Sequence, residues 1–225
     1  MWPCTSLGER SVAKRYELVD QRMLQPLFGL VFLSGIALVL SIPWARYVRD
    51  FSTFAFFSEF PIYFSAHAFL VGILGLNLGA ISAARREPIA LSVSLLTKRV
   101  LLGQFLTLPY LLFARAIYPG KDGTFALILL LTTLVSLTCA LASRLVEEPS
   151  GPSSSRGFPL KYLLFLTWYL APLAVFPTLS PLGAVAGLLR GERGDRLFFA
   201  YAIPCAVLLF ALLLVRGRAE GERRV

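Results

Sequence analysis

Long apolar runs broken by short basic clusters organise this chain. A bilayer core of about 30 Å takes roughly 20 mostly apolar residues per helix. Six stretches reach that length, at 27–44, 60–83, 100–118, 124–143, 160–179 and 197–215. The fully charged residues inside them fall at or near the ends, as at Arg115 and Lys161, where a long side chain can snorkel to the headgroups. The pattern predicts an all-α polytopic membrane protein with six transmembrane helices, folded as a single transmembrane domain over residues 1–225.

The segments between the runs carry their own patterns. Val12, Tyr16, Val19 and Met23 recur at helical spacing, while Arg10, Lys14, Glu17 and Arg22 lie mostly elsewhere around the wheel. This predicts an amphipathic helix over 10–23 lying in the membrane interface, with basic residues toward anionic headgroups. Pro26 is expected to stop that helix before the first span. A cytosolic helix packed on a partner protein is the alternative. The stretch LVEEPSGPSSSRGFP over 145–159 reads as a flexible linker, because its prolines, serines and glycines disfavour helix and strand alike. After the fifth run, Ser180 suits an N-cap, Pro181 the first helical position and Gly191 the end, which predicts a short helix of about ten residues. Too short to span, it should dip into or lie along the outer face.

Composition agrees with a membrane setting. Of 225 residues 56% are hydrophobic and 16% charged, with a mean hydropathy of +0.70, more apolar surface than a soluble globule of this size hides. The formal charge of +9 raises nucleic acid as a partner, but the basic residues form no single patch or stripe, so no nucleic-acid partner is expected. Sorting Lys and Arg by connection puts 15 of the 22 on the side shared by the two termini, which predicts cytoplasmic termini. An aromatic cluster that includes Trp44, Phe51, Phe60 and Tyr63 marks the first outer connection. The polar first 20 residues show no cleavable signal, so the first span itself should direct insertion. Cys4, Cys139 and Cys205 form no CxxC pair and read as reduced, structural cysteines.

Several six-span enzyme classes lack their required residues here. Leu33-Ser34-Gly35 misses the first glycine of a GxSG nucleophile motif, and one histidine, His67, cannot supply an HExxH zinc site. With one His and two Met, paired axial haem ligands are also scarce. His67, Asn77 and Gln104 read as interhelical hydrogen-bonders. The spans carry no mid-membrane Asp, Glu or Lys of the kind that couples transport to ions, and no P-loop occurs. The chain is not expected to be an enzyme by itself or to bind a cofactor. ATP-driven work would use ATP and Mg in a separate subunit docked on the cytoplasmic side.

Residues 85–104, RREPIALSVSLLTKRVLLGQ, suit such docking. Pro88 favours a helix start, Glu87 complements the helix dipole, and Leu91, Leu95 and Leu102 fall on one face. Here the sequence resembles the permease subunits of type 2 ABC exporters. In that family an N-terminal elbow helix precedes the first span and a coupling helix links the second and third. Arg86-Glu87, Leu91, Leu95-Leu96-Thr97 and Val100-Leu101-Leu102-Gly103 correspond to the family's coupling segment, and Leu179-Ser180-Pro181-Leu182 through Leu189-Arg190 to its short outer helices. Ile89-Ala90 stands where the family has Gly-Thr, the Ser/Thr-Pro break is missing, and Gln104 replaces a lysine.

The resemblance implies a permease in the bacterial inner membrane, paired with a second permease chain, identical or homologous, and with two ABC ATPase subunits. ATPase docking would fall to Arg85, Arg86, Glu87, Leu91, Leu95, Leu96, Thr97, Lys98 and Arg99, and the first and fifth spans would line the permease dimer interface. The cargo implied is lipid-like, polymeric or amphiphilic. The competing expectation is a non-transporting scaffold or regulatory subunit of a similar complex.

Overall fold

The computed structural model describes residues 21–50, 62–85, 89–117, 122–147, 157–174, 179–189, 199–211 and 214, and the described residues are helical throughout apart from short turns. The helices are α1 (Gln21–Asp50), α2 (Ile62–Ala84), α3 (Ile89–Ile117), α4 (Asp122–Glu147), α5 (Gly157–Leu170), α6 (Pro181–Leu189) and α7 (Phe199–Ala211). A 3₁₀ turn, Ala171–Ala174, follows α5. Helices α1 to α4 are long and apolar enough to cross a membrane, and α5 and α7 are shorter apolar helices. This is the composition of an integral membrane protein.

Two apolar layers stack along the bundle and show how the helices alternate. One layer joins Met23 and Leu27 of α1, Leu74 and Leu78 of α2, Leu96 and Val100 of α3, Leu141 of α4 and Cys205 of α7. The other joins Leu38, Tyr63, Phe64, Leu111, Ile128, Phe165, Val185 and Tyr201. The start of α1, end of α2, start of α3 and end of α4 therefore share one end of the bundle. The same end holds Arg85, Lys98, Arg99, Arg144 and Lys161, and we call it the basic end. Outward-facing side chains such as Phe28, Phe32, Val39, Phe105, Phe113, Leu163 and Phe210 are exposed. An apolar belt on this scale suits lipid or another helix.

Helix α2 is central, touching α1, α3, α4, α5 and α6, and its seam with α4 is the most extensive in the bundle. Glycine explains the closeness. A Cβ on Gly75 would stand 2.1 Å from the Ser136 carbonyl oxygen, and one on Gly79 would stand 2.2 Å from that of Ala140 and 2.9 Å from Ser143 Cβ. The two backbones meet because small residues line both sides, the packing mode that replaces hydrophobic driving force between helices in lipid.

Several element ends differ from those the sequence suggests. Pro26 does not end a helix, since α1 runs unbroken from Gln21 to Asp50. Proline removes one intrahelical bond and crowds one carbonyl, and Met23 and Leu27 on either side are anchored in the basic-end layer. Residues 145–147 and 157–159 belong to α4 and α5 and not to the linker, and Pro159 sits in a first turn, where its missing N–H costs nothing. The fifth apolar run turns 3₁₀ at Ala171, so its helix ends well short of residue 179. Helix α6 begins at Pro181 as predicted, with Ala184 N donating to Ser180 O at 2.8 Å. The Ser180 hydroxyl, however, donates to the Tyr169 carbonyl, tying α6 to α5. Gly183 to Leu188 are all buried, so α6 is packed into the bundle and is not laid along its surface.

Candidate functional site

The basic end gathers the residues that could meet a partner. Arg85 extends α2 by one residue, its N–H donating to Ile81 O at 3.1 Å, and the Ser82 and Ser92 hydroxyls hydrogen-bond to each other, pinning the end of α2 to the start of α3. Helix α3 has 29 residues, about 44 Å of length against an apolar core of about 30 Å. The apolar stretch that could span covers Leu91–Ala116, and the helix is longer than an apolar core needs.

The predicted docking residues divide around this helix. Leu91 and Lys98 are exposed and Thr97 is half-buried, its hydroxyl closing on Val93 O at 2.9 Å. Leu95, Leu96 and Arg99 are buried, with Leu96 packed in the layer that holds Met23 and Leu74. Leu91, Leu95 and Leu102 therefore do not share one environment: Leu91 faces out, Leu95 faces in and Leu102 is half-buried. An exposed stripe of Leu91, Ser94, Lys98 and Leu101 results, with its successive members three or four residues apart. Arg86 and Glu87 lie outside the described residues, as do Val12, Tyr16 and Val19 of the expected interfacial helix, and Arg190. Met23, predicted for that interfacial helix, is fully buried in α1. Pro181 is buried and Leu182 half-buried in α6.

Among the described residues three cations at this end are buried: Arg99 at 1% exposure, Arg144 at 4% and Lys161 at 4%. None lacks a partner, as burial of a charge demands. Lys161 does not snorkel as expected; it turns inward beside Tyr162, its Nζ 5.3 Å from the ring centroid. Arg115, at the opposite end of α3, is exposed over Phe125, with 5.9 Å from its guanidinium carbon to the ring centroid.

The polar residues inside the bundle join helices, as predicted. His67 on α2 meets Gln104 on α3 (Nε2 to Oε1, 3.2 Å), and Gln104 Nε2 donates to Thr132 Oγ1 on α4 at 3.2 Å. Because the Gln104 amide N–H is spent on Thr132, its carbonyl accepts from His67, which sets the proton on Nε2. Tyr162 OH donates to Asn77 Oδ1 at 2.7 Å, binding α5 to α2. Tyr169 OH donates to the Ser65 carbonyl. Such bonds in lipid average about 0.6 kcal/mol, with a maximum near 1.7. Gln104→Leu, which also strands His67 while Thr132 keeps its bond to Leu129 O, is therefore expected to cost about 1.5 kcal/mol and Tyr162→Phe about 0.6 kcal/mol, read as losses of stability in detergent unfolding titrations.

The glycine seam was missed by the reading of the sequence, although Gly72-x-x-Gly75-x-x-x-Gly79 carries its signal. Thr132, the third member of the His67 network, has no signal of its own in a helix rich in threonine. A scan against known protein families and searches of curated proteins and solved structures gave no match.

Proposed function

We propose that this chain is the transmembrane permease subunit of an ATP-driven ABC exporter in the bacterial inner membrane, with six spans and cytoplasmic termini. The observation that carries the reading is the start of α3, which exposes Leu91, Ser94 and Lys98 at the basic end while Leu95, Leu96 and Val100 anchor the same helix in the core. No break intervenes between the exposed turns and the apolar section. A push on the stripe from an ATPase would therefore pass into the bundle along one continuous helix, without the separate coupling helix that the family resemblance implies. ATP and Mg belong to that ATPase. The chain itself performs no hydrolysis, and a second permease, identical or homologous, completes the path for a lipid-like, polymeric or amphiphilic cargo.

In this reading α5, with its 3₁₀ turn, and α7 complete the set of spans. Helix α7 reaches both apolar layers, with Tyr201 in one and Cys205 in the other. The apolar outer face of α1 suits the second permease.

Purification of the solubilised complex from its native membrane tests the reading. A P-loop ATPase is expected to co-purify, and combined charge reversal at Arg85, Arg86 and Glu87 is expected to remove it. An intact complex without such an ATPase overturns the reading. A retained ATPase with no substrate-stimulated turnover would favour the scaffold.

A further inference from the structure

Helix α5 meets α4 far less closely than α2 does, and two small side chains of α4, Cys139 and Ala142, border a cleft of about 140 Å³ between α4 and α5. Leu76 of α2 and Leu164, Phe165 and Trp168 of α5 add to its walls, and almost no polar atom reaches its surface. The Phe165 wall belongs to the core: an added Cβ on Gly72 would stand 2.5 Å from the ring, and the rings of Phe69 and Tyr169 lie 5.5 and 5.8 Å from it. One side is open, since Leu164 is 54% exposed and Trp168 half-buried, whereas Leu76 and Cys139 are 4% exposed. Every lining residue lies in one of the apolar segments Tyr63–Ala84, Gly123–Val146 and Leu160–Leu170, so the medium at the mouth of the cleft in a membrane is hydrocarbon. An apolar cavity near 150 Å³ stays dry and takes a molecule the size of benzene, so this one holds about six carbons of a chain.

We propose that this cleft binds one acyl chain of a bilayer phospholipid, recognised by its hydrocarbon and not by its headgroup. Walls of carbon offer a polar or charged ligand no partner to replace its hydration. An empty cleft would forfeit the dispersion contacts that a chain supplies. The bound chain differs from ordinary surrounding lipid in what it touches. Lipid outside the bundle reaches exposed side chains such as Leu163 and Leu166, while a chain in the cleft also reaches Leu76 and Cys139. The lipid is a resident of the α4–α5 seam and not cargo, and its binding does not rest on the exporter reading.

Photolabelling distinguishes the two. The full-length protein is reconstituted in vesicles of phosphatidylcholine that carries a diazirine on its acyl chain, irradiated, and mapped by mass spectrometry. Label is expected at Leu76 and Cys139 as well as at Leu163 and Leu166. Val135 and Leu141, buried on α4 but outside the cleft, should stay unlabelled. Phosphatidylglycerol with the same diazirine chain should label Leu76 and Cys139 to the same extent. Ala142→Phe, which fills the cleft, should remove the label from Leu76 and Cys139 and leave it at Leu163 and Leu166; Ala142→Leu takes its place if the phenylalanine variant does not fold. Label confined to the exposed residues of the parent protein, the result if another protein covers the cleft, overturns the proposal. So does label at Cys139 that survives filling of the cleft, and so does label there that depends on the headgroup.

Discussion

Replacing Gly75 or Gly79 with leucine should leave no folded protein after extraction, and alanine alone at either position should cost about 3 kcal/mol, the upper range for overpacking. The atoms in the way are main-chain carbonyl oxygens of α4, at 2.1 Å for Gly75 and 2.2 Å for Gly79, which no rotamer change can move. The α2–α4 seam would have to open along its length, and α2 touches five other helices. At Gly72 the obstacle is the Phe165 ring, 2.5 Å away. A ring can tilt, so alanine there should cost less, about 1–2 kcal/mol. Gly29 and Gly123 have nothing within 4 Å of an added Cβ, and alanine at either should be tolerated. Thermal melts of the solubilised protein, followed by size-exclusion chromatography, read the series. A Gly75→Ala protein as stable as Gly29→Ala would mean that the backbones do not meet there.

The second large effect separates docking from folding on one helix. Leu91→Asp combined with Lys98→Glu alters exposed positions, and surface changes of this kind usually alter stability by no more than about 0.5 kcal/mol. The pair should nevertheless lower the amount of co-purified ATPase at least about tenfold, a loss of 1.4 kcal/mol or more in binding. Leu96→Ala should do the reverse. Leu96 is fully buried beside Val100 and Leu74, so its truncation should cost about 2–4 kcal/mol of stability, while the surviving folded fraction still binds the ATPase. Parallel melting curves and pull-downs give both readouts. Should the Leu91, Lys98 pair keep full ATPase binding in a stable protein, the exposed stripe is not the docking face.

Between them these two sets of variants divide what was legible from what was not. The start of α6 at Pro181 was readable because Ser-Pro chemistry is local to a few backbone groups. The bonding roles of His67, Asn77 and Gln104 were readable because a polar side chain in an apolar helix must find a partner on another helix. Pro26 misled, because local breaking tendency competes with burial of Met23 and Leu27 on either side, and burial prevailed. Leu91 and Leu95 look equivalent as apolar positions. Which of them is buried depends on how α3 is rotated against α1 and α2, and that rotation is set by distant contacts.

By itself the sequence determined that this chain belongs in a bilayer, roughly where its apolar helices lie, and which end collects positive charge. These follow from run length and from the local cost of placing charge or proline in an apolar helix. Only the tertiary structure decided that α2 and α4 meet backbone to backbone, that Lys161 turns inward beside Tyr162, and that Leu91 and Lys98 are exposed while Leu95 and Leu96 are buried. Each of those depends on which faces of the helices meet, and hydrophobicity that is nearly uniform around a membrane helix does not encode the choice.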